Sequence, residues 1–484
     1  MNTWLLAILC LIAAALALLG IAAVRTLAAP KKTARYQAPP ADARAEEYAR
    51  KLSRMVACDT VSHPDGDRQE KFPEFHALLE ELFPLVHGRL EKTEIDGNLL
   101  FRWKGKSADR PLVLMSHQDV VPAEGEWKHP PFSGDIADGK VWGRGASDTK
   151  CSLMAFFQSV EEMIADGYQP KCDVYLASSC TEEIGGSGAP KLANWLKEHG
   201  VKLFMLCDEG GSIIQDPLGG VNGHYAAVGI FEKGYGDVKF IARSKGGHAS
   251  APGRNTPIPR LAKFIAAVEK KSPFKVQFSP AVEAMFERLA PYAGPFYLRL
   301  VMHNLWLFKP VLLKMLPAIN ASAGAMTQTT LAFTTARGSD GLNVLPQQAY
   351  VTGNMRLIHH QPGAESFAAV REIADRYNIE TEVLYEDAPC PVVGYESKQF
   401  HLIEQLVAKV YPGVQVSPYV MTGGTDAKFY KDICPNCIRF APLYIDSQQY
   451  GSVHGLNENI FQGALPHGVD FYKQVIKKMT EIEA

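Results

Sequence analysis

The sequence predicts the α/β class, with a doubly wound and mostly parallel sheet. Strand-like apolar runs alternate with helical patterns over residues 98–211, and this alternation is typical of βα units with parallel strands. Apolar residues in the segment 152–167 recur with the helical period, as expected for a helix that covers one face of a sheet. These residues are Leu153, Phe156, Phe157, Val160 and Ile164.

The predicted elements follow one another in a regular order. Strands are predicted at residues 98–103, 111–119, 172–180 and 201–211, and helices at 152–167 and 191–200. Ligands of such sheets bind beyond the carboxyl ends of the strands. Polar residues that close these strands are therefore the first candidates for a functional site.

The composition indicates a folded protein and excludes several other classes. The chain has 484 residues, of which 46% are hydrophobic, and a net charge of −2, which indicates a folded protein with room for more than one domain. This charge indicates neither nucleic acid nor an acidic partner. Its nine cysteines are too few for a disulfide scaffold. The close pair Cys434 and Cys437 predicts a local disulfide or two core thiols rather than a zinc site.

The N-terminal segment, residues 1–30, predicts a single-pass membrane anchor or a signal sequence. Residues 4–24 carry no charge, and a run of this length can cross about 30 Å of hydrocarbon. Small residues at 26–30 offer a processing site, so a secreted form stays open. The basic residues near this run all follow it, which favours a cytoplasmic body without settling the membrane side. They are Arg25, Lys31, Lys32 and Arg35.

Residues 31–47 predict an extended linker, because they are charged, contain proline and lack apolar periodicity. The folded body is expected to begin at residue 48.

Acidic and imidazole side chains follow several predicted strands. They are His117 and Asp119, Glu182 and Glu183, and Asp208 and Glu209, with Asp148 in the loop before a helix. Each pair alone is more typical of a hydrogen-bonded or solvated strand end. Several carboxylates on one rim repel one another unless cations lie between them. The combination therefore predicts a metal site.

Glu182 and Glu183 are expected to have different tasks. Adjacent residues of an extended strand point to opposite sides, so one of them should bind metal while the other faces the attacking water. A glutamate that is not a ligand can accept a proton from this water and return it to a leaving amine. The spacing alone does not decide which glutamate does which.

Seven ordered blocks carry a family resemblance over nearly the whole body. They begin at residues 116, 181, 206, 245, 343, 422 and 451, and read SHQDVVPAEGEWKHPPFSGDIADGKVWGRGASDTK, TEEIGGSGA, LCDEGG, KGGHASAP, NVLPQQAYVTGNMR, TGGTDAKFY and GSVHGLNENI. The chain resembles the di-zinc aminoacylase and carboxypeptidase family. It is most similar to the large subgroup with carboxypeptidase S and the secreted N-acyl amino acid hydrolase/synthase.

The resemblance implies two Zn²⁺ ions and assigns their ligands. Glu182 would be the general base, and Asp119 would orient the imidazole of His117, which fixes its tautomer. Asp148 would bridge the two ions. The metal ligands implied are His117, Asp148, Glu183, Asp208 and His454.

The resemblance also implies how the domains are arranged. Residues 48–232 and 357–484 would form a catalytic domain around a mixed, mainly parallel sheet, and residues 233–356 an inserted α+β domain of the lid or dimerisation type. His248 would stabilise the oxyanion, and Arg356 would hold the substrate carboxylate. The residues implied to assist are Asn343, Gly423, Gly424 and Thr425.

The segment 295–319 is long and apolar, with Arg299, Lys309 and Lys314 as its charges. Pro310 and Pro317 are expected to break a single spanning helix, so a second membrane pass is not predicted. Two alternatives stay open. The segment packs into the core, or it forms an apolar channel or membrane-facing surface for fatty acyl chains.

The predicted function is hydrolysis of an amide bond next to a free carboxylate. Its substrate is a small molecule or short peptide, either a peptide with a free C-terminus or an N-acyl amino acid, for which the reverse condensation also fits. A non-catalytic metal-binding module on the membrane is the alternative from another class, and the presence of Glu182 argues against it. A homodimer is compatible with the resemblance.

Overall fold

The computed structural model describes residues 3–33, 36, 42–64, 71–217 and 219–479. Its helices are α1 (Thr3–Ala28), α2 (Arg44–Ala57), α3 (Lys71–Leu82), α4 (Pro84–Arg89), α5 (Lys150–Ala165), α6 (Gly188–Glu198), α7 (Pro257–Lys270), α8 (Pro280–Leu289), α9 (Phe296–His303), α10 (Leu305–Ile319), α11 (Ala321–Ala325), α12 (Gly363–Asp375), α13 (Lys398–Val410), α14 (Ser447–Ser452) and α15 (Ala464–Lys478). Short 3₁₀ turns lie at Ala290–Tyr292 and Asp426–Tyr430.

The strands of the first half of the chain are β1 (Glu91–Ile95), β2 (Asn98–Trp103), β3 (Ser107–Met115), β4 (Ile136–Ala137), β5 (Lys140–Trp142), β6 (Cys172–Ser178), β7 (Met205–Asp208), β8 (Ile213–Gln215), β9 (His224–Glu232) and β10 (Gly234–Arg243). Those of the second half are β11 (Gly247–His248), β12 (Thr330–Arg337), β13 (Val344–Leu345), β14 (Gln348–Leu357), β15 (Glu380–Asp387), β16 (Gln415–Met421), β17 (Cys437–Arg439), β18 (Tyr444–Ile445) and β19 (Asn459–Phe461).

The main sheet has the strand order β1-β2-β6-β3-β7-β17-β9-β8-β18, and β16 pairs with β9. The central strands β6, β3, β7 and β17 run parallel, and so do β16 with β9 and β18 with β8. Antiparallel pairs join β1 to β2, β2 to β6, β17 to β9 and β8 to β9. The prediction of an α/β fold with a mixed, mainly parallel sheet is confirmed.

Strand β3 shows why helices cover both faces of this sheet. Its residues Leu112 and Leu114 belong to one hydrophobic core, and Val113 and Met115 belong to another. Side chains of a strand alternate between the two faces with period two, so the apolar and buried half of β3, which ends at Met115, must be covered on both sides. Helices α5 and α15 pack on the first side, and α6 packs on the second.

The inserted domain, called the lid domain below, has its own sheet in the order β12-β14-β10-β15. Helices α7 and α12 cover this sheet over a separate core. Because β15 pairs with β10 along its length, the lid domain continues to Asp387, and the predicted boundary at residue 356 is wrong. Long-range strand pairing of this kind has no local sequence signal.

Residues 278–326 lie within the predicted insertion, but their buried side chains pack with the core of the catalytic domain.

The linker and the apolar segment 295–319 also differ from the predictions. Helix α2 begins at Arg44, so the predicted linker 31–47 ends earlier than expected; residues 34, 35 and 37–41 of it lie outside the described residues. The apolar segment 295–319 bends at Asn304 between α9 and α10, whereas α10 continues through Pro310 and Pro317. Cys434 and Cys437 are buried free thiols, which agrees with the core-thiol alternative.

Candidate metal centre

Three neighbouring parallel strands bring the central side chains to one edge of the sheet. The strands β6, β3 and β7 lie side by side, so their carboxyl ends meet there. His117 follows the end of β3, Glu182 and Glu183 follow β6, and Glu209 comes directly after β7. Asp148 reaches the same edge from the loop that precedes α5.

Asp148 joins two groups of potential metal ligands. Its Oδ1 lies 3.2 Å from His117 Nε2, and Glu209 Oε1 lies 3.4 Å from the same nitrogen. Its Oδ2 lies 3.0 Å from His454 Nε2, which is 3.2 Å from Glu183 Oε2. The two groups, His117 with Asp148 and Glu209, and Asp148 with Glu183 and His454, can each hold one ion. A carboxylate that faces both groups is the arrangement expected of a bridging ligand.

The loop that carries Asp148 is fixed by a buried glutamate. Glu458 Oε1 accepts hydrogen bonds from the backbone N–H groups of Ser147 at 2.8 Å and Asp148 at 3.0 Å. Its other oxygen pairs with Arg144 Nη1 at 2.7 Å, and both side chains are almost fully buried. The sequence analysis missed this pair, because one glutamate in the block GSVHGLNENI carries no spacing signal of its own.

Asp119 positions residues on two sides of the centre. Its backbone carbonyl oxygen lies 2.8 Å from His117 Nδ1, closer than its carboxylate oxygen at 3.5 Å. The carboxylate accepts hydrogen bonds from the backbone N–H groups of Glu182 and Glu183, both at 3.1 Å, and from the hydroxyl of Ser62 at 2.7 Å. Asp119 therefore fixes the His117 ring and also the turn that presents both glutamates.

The predicted ligand Asp208 is not in the cluster. Its Oδ1 accepts the N–H of Glu209 and its Oδ2 accepts the N–H of Ala427, both at 2.9 Å. The side chain that reaches His117 is Glu209. Glu209 thus lies where the resemblance implies Asp208, because β7 ends at Asp208 and the chain turns immediately after it.

The electrostatics of the cluster fit divalent cations. Burial lowers the pKa of His117, but the carboxylates around it outweigh this and raise its pKa well above the ordinary value. The hydrogen bonds that His454 donates to the carboxylates of Asp148 and Glu183 raise its pKa to about 10. Burial raises the pKa of Glu209 well above its ordinary value. In the protein alone these groups share protons, and a cation can take their place.

An unpaired oxygen atom of Glu183 also indicates that the cluster binds a cation. Glu183 Oε1 is buried and has no hydrogen-bond partner among the described residues, although an unpaired buried oxygen is costly. Imidazoles and carboxylates together form a ligand set that suits transition metals such as zinc. The residues therefore fit a metal site.

Glu182 lies beside the cluster, where the charges of His117 and Glu209 act on it. Burial raises its pKa well above the ordinary value, and the charge of His117 opposes this rise. Its side chain is in neither of the two ligand groups. This placement is compatible with the role of a general base.

Of the residues predicted to bind the substrate, Arg356 lies next to the loop at 423–425, but Thr425 makes other contacts. A Cβ atom built at Gly424 would lie 4.0 Å from Arg356 Nη1, so this arginine adjoins the predicted loop. The N–H and the hydroxyl of Thr425 both donate to Glu232 Oε2, at 2.7 and 2.9 Å. The Thr425 amide is thus already in use, contrary to the prediction that it assists the substrate. Gly423 is exposed at the tip of the loop.

His248 and Asn343 lie on the small ribbon β11–β13 of the lid domain and are exposed. The His248 ring contacts the hydroxyl of Ser250 at 2.8 Å, and its backbone neighbour Ala249 donates to the carbonyl of Asn343 at 2.9 Å. Within the part of the chain that the structure describes, His248 is in neither of the two groups of potential metal ligands. The predicted oxyanion role of His248 is therefore not built into this arrangement of the lid.

This geometry defines a metal-dependent hydrolase whose ligands lie at the carboxyl edge of an α/β sheet. The chain belongs to the peptidase family M20/M25/M40, whose sequence profile matches residues 113–478. This membership confirms the resemblance read from the sequence motifs.

Individual relatives cover most of the chain. A probable carboxypeptidase S-like 2 from Dictyostelium discoideum is 32% identical over 447 residues, which is 89% of this chain and 85% of that protein. The N-fatty-acyl-amino acid synthase/hydrolase PM20D1.1 from Danio rerio is 33% identical over 87% of this chain and 84% of its own length. The fold is shared with an M20 family metallo-carboxypeptidase from Sulfolobus solfataricus, with a TM-score of 0.63 and 18% identity over 90% of this chain and 100% of that one.

Proposed function

We propose that the protein hydrolyses the amide bond of N-acyl amino acids that carry an apolar acyl group, with two zinc ions at the centre. The observation that carries this proposal is a mainly apolar cavity whose lining includes Gly210, the residue after the potential ligand Glu209. The cavity has a volume of about 280 Å³, near the lower end of the range of about 300–1,000 Å³ that is usual for ligand sites.

Some residues that line this cavity are neighbours of the potential metal ligands in the chain. One wall includes Gly210, which directly follows the ligand Glu209, and Tyr450 of the helix that precedes His454. Another part of the lining is formed by apolar side chains of α8 and α11 and by the residue after α11. They include Met285, Leu289, Ala323 and Met326. An acyl chain in this cavity would place its carbonyl carbon toward the ligands.

The chain's own residues supply the remaining steps. Glu182 takes the proton of the attacking water and delivers it to the leaving nitrogen. Asp119 keeps His117 and the turn of Glu182 in place through the hydrogen bonds described above. Arg356 pairs with the carboxylate of the amino acid, for which its planar guanidinium is suited. Metal ions held by the ligands would polarise the amide carbonyl and activate the water.

Zinc is proposed from the chemistry of the ligands. The site combines the imidazoles of His117 and His454 with the carboxylates of Asp148, Glu183 and Glu209. This mixture of nitrogen and oxygen ligands is typical of catalytic zinc. The role proposed for His248 requires that the lid moves toward the centre, or that a second copy supplies the residue.

C-terminal peptide hydrolysis is the second candidate, and the similarity to a carboxypeptidase S-like protein favours it. Both substrates have an amide next to a free carboxylate, so the centre suits both. The cavity distinguishes them, because a long acyl group needs more apolar volume than a single side chain.

The test uses full-length protein in detergent and a series of N-acyl phenylalanines with acyl groups from acetyl to palmitoyl. Replacement of Ser322, an exposed residue that lines the cavity, by Trp should lower kcat/KM for long acyl groups and spare acetyl. The matched control is Ala321→Trp, since Ala321 is exposed on the same helix and does not line the cavity. Equal loss in both variants, or cleavage of blocked dipeptides alone, would contradict the acyl assignment.

The N-terminal helix is proposed to be a retained membrane anchor. Helix α1 is long and apolar enough to cross a membrane, by length and composition. Its last turns are tied to the body, with Ala22 and Thr26 fully buried, and a segment that is removed would not need such contacts.

A further inference from the structure

We propose that the helix pair α9–α10 rests on the bilayer surface beside α1, so that the acyl substrate enters the protein directly from the membrane. The route of entry rests on the proposed function, whereas the docking surface stands on its own geometry. The surface consists of the exposed apolar side chains of this pair, called the hairpin face. They are Phe296, Tyr297, Trp306, Val311 and Met315, with exposed fractions between 45% and 69%.

The hairpin is joined to the anchor by buried hydrogen bonds. The side-chain nitrogen of Asn304, which is fully buried, donates to the carbonyl of Ala22 at 3.1 Å and to the hydroxyl of Thr26 at 2.9 Å. Arg299 Nη2 donates to the carbonyls of Thr26 and Ala29, both at 3.2 Å. Because these contacts lie at the end of α1, the hairpin is held where this helix meets the body.

The two sides of the hairpin differ in the way expected of a helix at a membrane interface. Met302 and Leu305 are buried in the core of the catalytic domain, and Leu312, Leu313 and Leu316 pack partly against it. The hairpin face points away from this core and leaves large apolar side chains in contact with the surroundings. Several large exposed apolar side chains on one pair of adjoining helices are the kind of feature that marks an interaction surface. Trp and Tyr are enriched at the level of the lipid headgroups.

Charge identifies a bilayer as the occupant. The sequence has no Asp or Glu before Asp42 and none from Arg288 to Ser339. The basic residues described in the two stretches near the hairpin are Arg25, Lys31, Lys32, Arg299, Lys309 and Lys314. Lys309 is paired with Glu283 of α8, so the cationic character of this surface comes from the other basic residues. A surface that is apolar, aromatic and cationic suits anionic lipid headgroups. A second protein copy would need opposite charges, and would leave the exposed length of α1 uncovered.

The cavity begins where the hairpin ends. Helix α10 is followed at once by Asn320, Ser322 and Ala323, which line the cavity. Gly210, the residue after Glu209, also lines the cavity. An acyl chain that leaves the bilayer at α10 would therefore meet the cavity before it meets bulk water.

The test measures the environment of the hairpin face in full-length protein reconstituted into phosphatidylcholine vesicles with phosphatidylglycerol. A nitroxide is attached at Val311→Cys in a background with Cys10→Ala and Cys58→Ser, since the other cysteines are buried. Collisions with oxygen, which concentrates in lipid, are compared with collisions with a water-soluble nickel chelate. The control site is Glu198→Cys, exposed on α6 at the opposite part of the main sheet.

We expect the label at residue 311 to prefer oxygen, and the control label to prefer nickel. Equal nickel access at both sites would overturn the docking surface. Protection from both reagents together with spin–spin broadening between labels would also overturn it, because it would identify a second copy on the hairpin face.

A kinetic arm tests the route of entry. Val311→Glu should lower the rate on long-chain substrate supplied in the same vesicles several-fold, and leave the rate on soluble N-acetyl phenylalanine unchanged. Leu384→Glu in the lid sheet is the matched control, since Leu384 is 51% and Val311 is 53% exposed. Equal effects of both variants would reject the route. Absence of hydrolysis in the unmodified protein would instead reject the proposed function, and the oxygen measurement would stand.

Discussion

Glu209 donates its backbone N–H to the carboxylate of the preceding residue, Asp208, over 2.9 Å. The second oxygen of Asp208 accepts the N–H of Ala427, so this side chain links the end of β7 to the 3₁₀ turn that begins at Asp426. The link fixes the turn after β7 and directs the Glu209 side chain toward His117. Two adjacent acidic residues thus have separate roles, one in holding the backbone and one in the metal centre.

This division predicts different outcomes for two single substitutions. Glu209→Gln should lower the number of metal ions bound per chain, since one group of ligands loses its charged oxygen. Asp208→Asn should keep the metal content but lower the free energy of unfolding by about 1–3 kcal/mol, because an amide cannot accept both N–H groups equally well. Elemental analysis and denaturant unfolding separate the two effects. Loss of metal in Asp208→Asn alone would restore the original ligand assignment.

The sequence predicted which strands deliver the site residues, although β3, β6 and β7 end two to four residues earlier than predicted. His117, Asp148, Glu183 and His454 meet as the family resemblance implied. The resemblance implies Asp208 as a ligand, whereas Glu209 is the side chain near His117. The direction of each side chain depends on where the strand ends, and no local pattern reports that within one residue.

Long-range contacts account for the remaining differences. The lid domain gains β15 by pairing with β10 across more than a hundred residues of chain, and the predicted boundary could not include it. The contacts of Asn304 with Ala22 join segments 282 positions apart. Apolar periodicity indicates that a face is covered, but it does not identify the covering element.

The role of Glu182 predicts a loss of turnover without a loss of metal. Its side chain lies beside both ligand groups but belongs to neither. Glu182→Gln removes the proton acceptor and keeps the shape, so kcat should fall by about 10²–10⁴-fold, the usual contribution of general acid–base catalysis. Metal content should stay equal to that of the unmodified protein. A variant that keeps its turnover would exclude Glu182 as the base.

The raised pKa values in and near the metal-free cluster predict that the stability of the protein depends on pH. The pKa of His454 is raised from 6.5 to about 10 in the folded protein, so its contribution to stability is complete below pH 6.5 and is lost as pH rises toward 10. Burial raises the pKa of Asp426 from 3.8 to about 7. Its contribution to stability is therefore also lost as pH rises, between about 4 and 7. The melting temperature of chelator-treated protein should therefore fall as pH rises.

Metal-loaded protein should not show this fall between pH 6.5 and 10, because the cation binds the deprotonated imidazole. The comparison is made by calorimetry with zinc and with chelator in excess. His454→Gln in chelator should have a flatter pH profile than the unmodified chain. Parallel profiles with and without metal would mean that the cluster does not bind a cation.

The position of Arg356 predicts its effect on substrate affinity. The guanidinium stacks over the ring of Tyr235, with 4.8 Å between the guanidinium carbon and the ring centroid, and adjoins Gly424. Arg356→Met should raise KM for an N-acyl amino acid more than it lowers kcat. The same substitution should have little effect on the corresponding amino acid amide, which lacks the carboxylate. An equal rise in KM for both compounds would contradict carboxylate binding by Arg356.

The buried pair Glu232 and Arg439 predicts the largest loss of stability. Glu232 Oε1 accepts a hydrogen bond from Arg439 Nη2 at 3.0 Å, and its other oxygen holds the amide and hydroxyl of Thr425. Both charged side chains are almost completely buried. Removal of one partner leaves the other charge uncompensated, so Glu232→Ala should lower the free energy of unfolding by about 3–5 kcal/mol.

The double variant Glu232→Gln with Arg439→Met is the control, because it removes both charges and keeps similar volumes. It should be more stable than Glu232→Ala in denaturant unfolding, since neutral side chains of similar volume leave no uncompensated buried charge. Its kcat/KM should still fall, because a glutamine oxygen holds the Thr425 amide less firmly than a carboxylate does. Full activity in the double variant would show that this pair stabilises the fold without positioning the loop at residues 423–425.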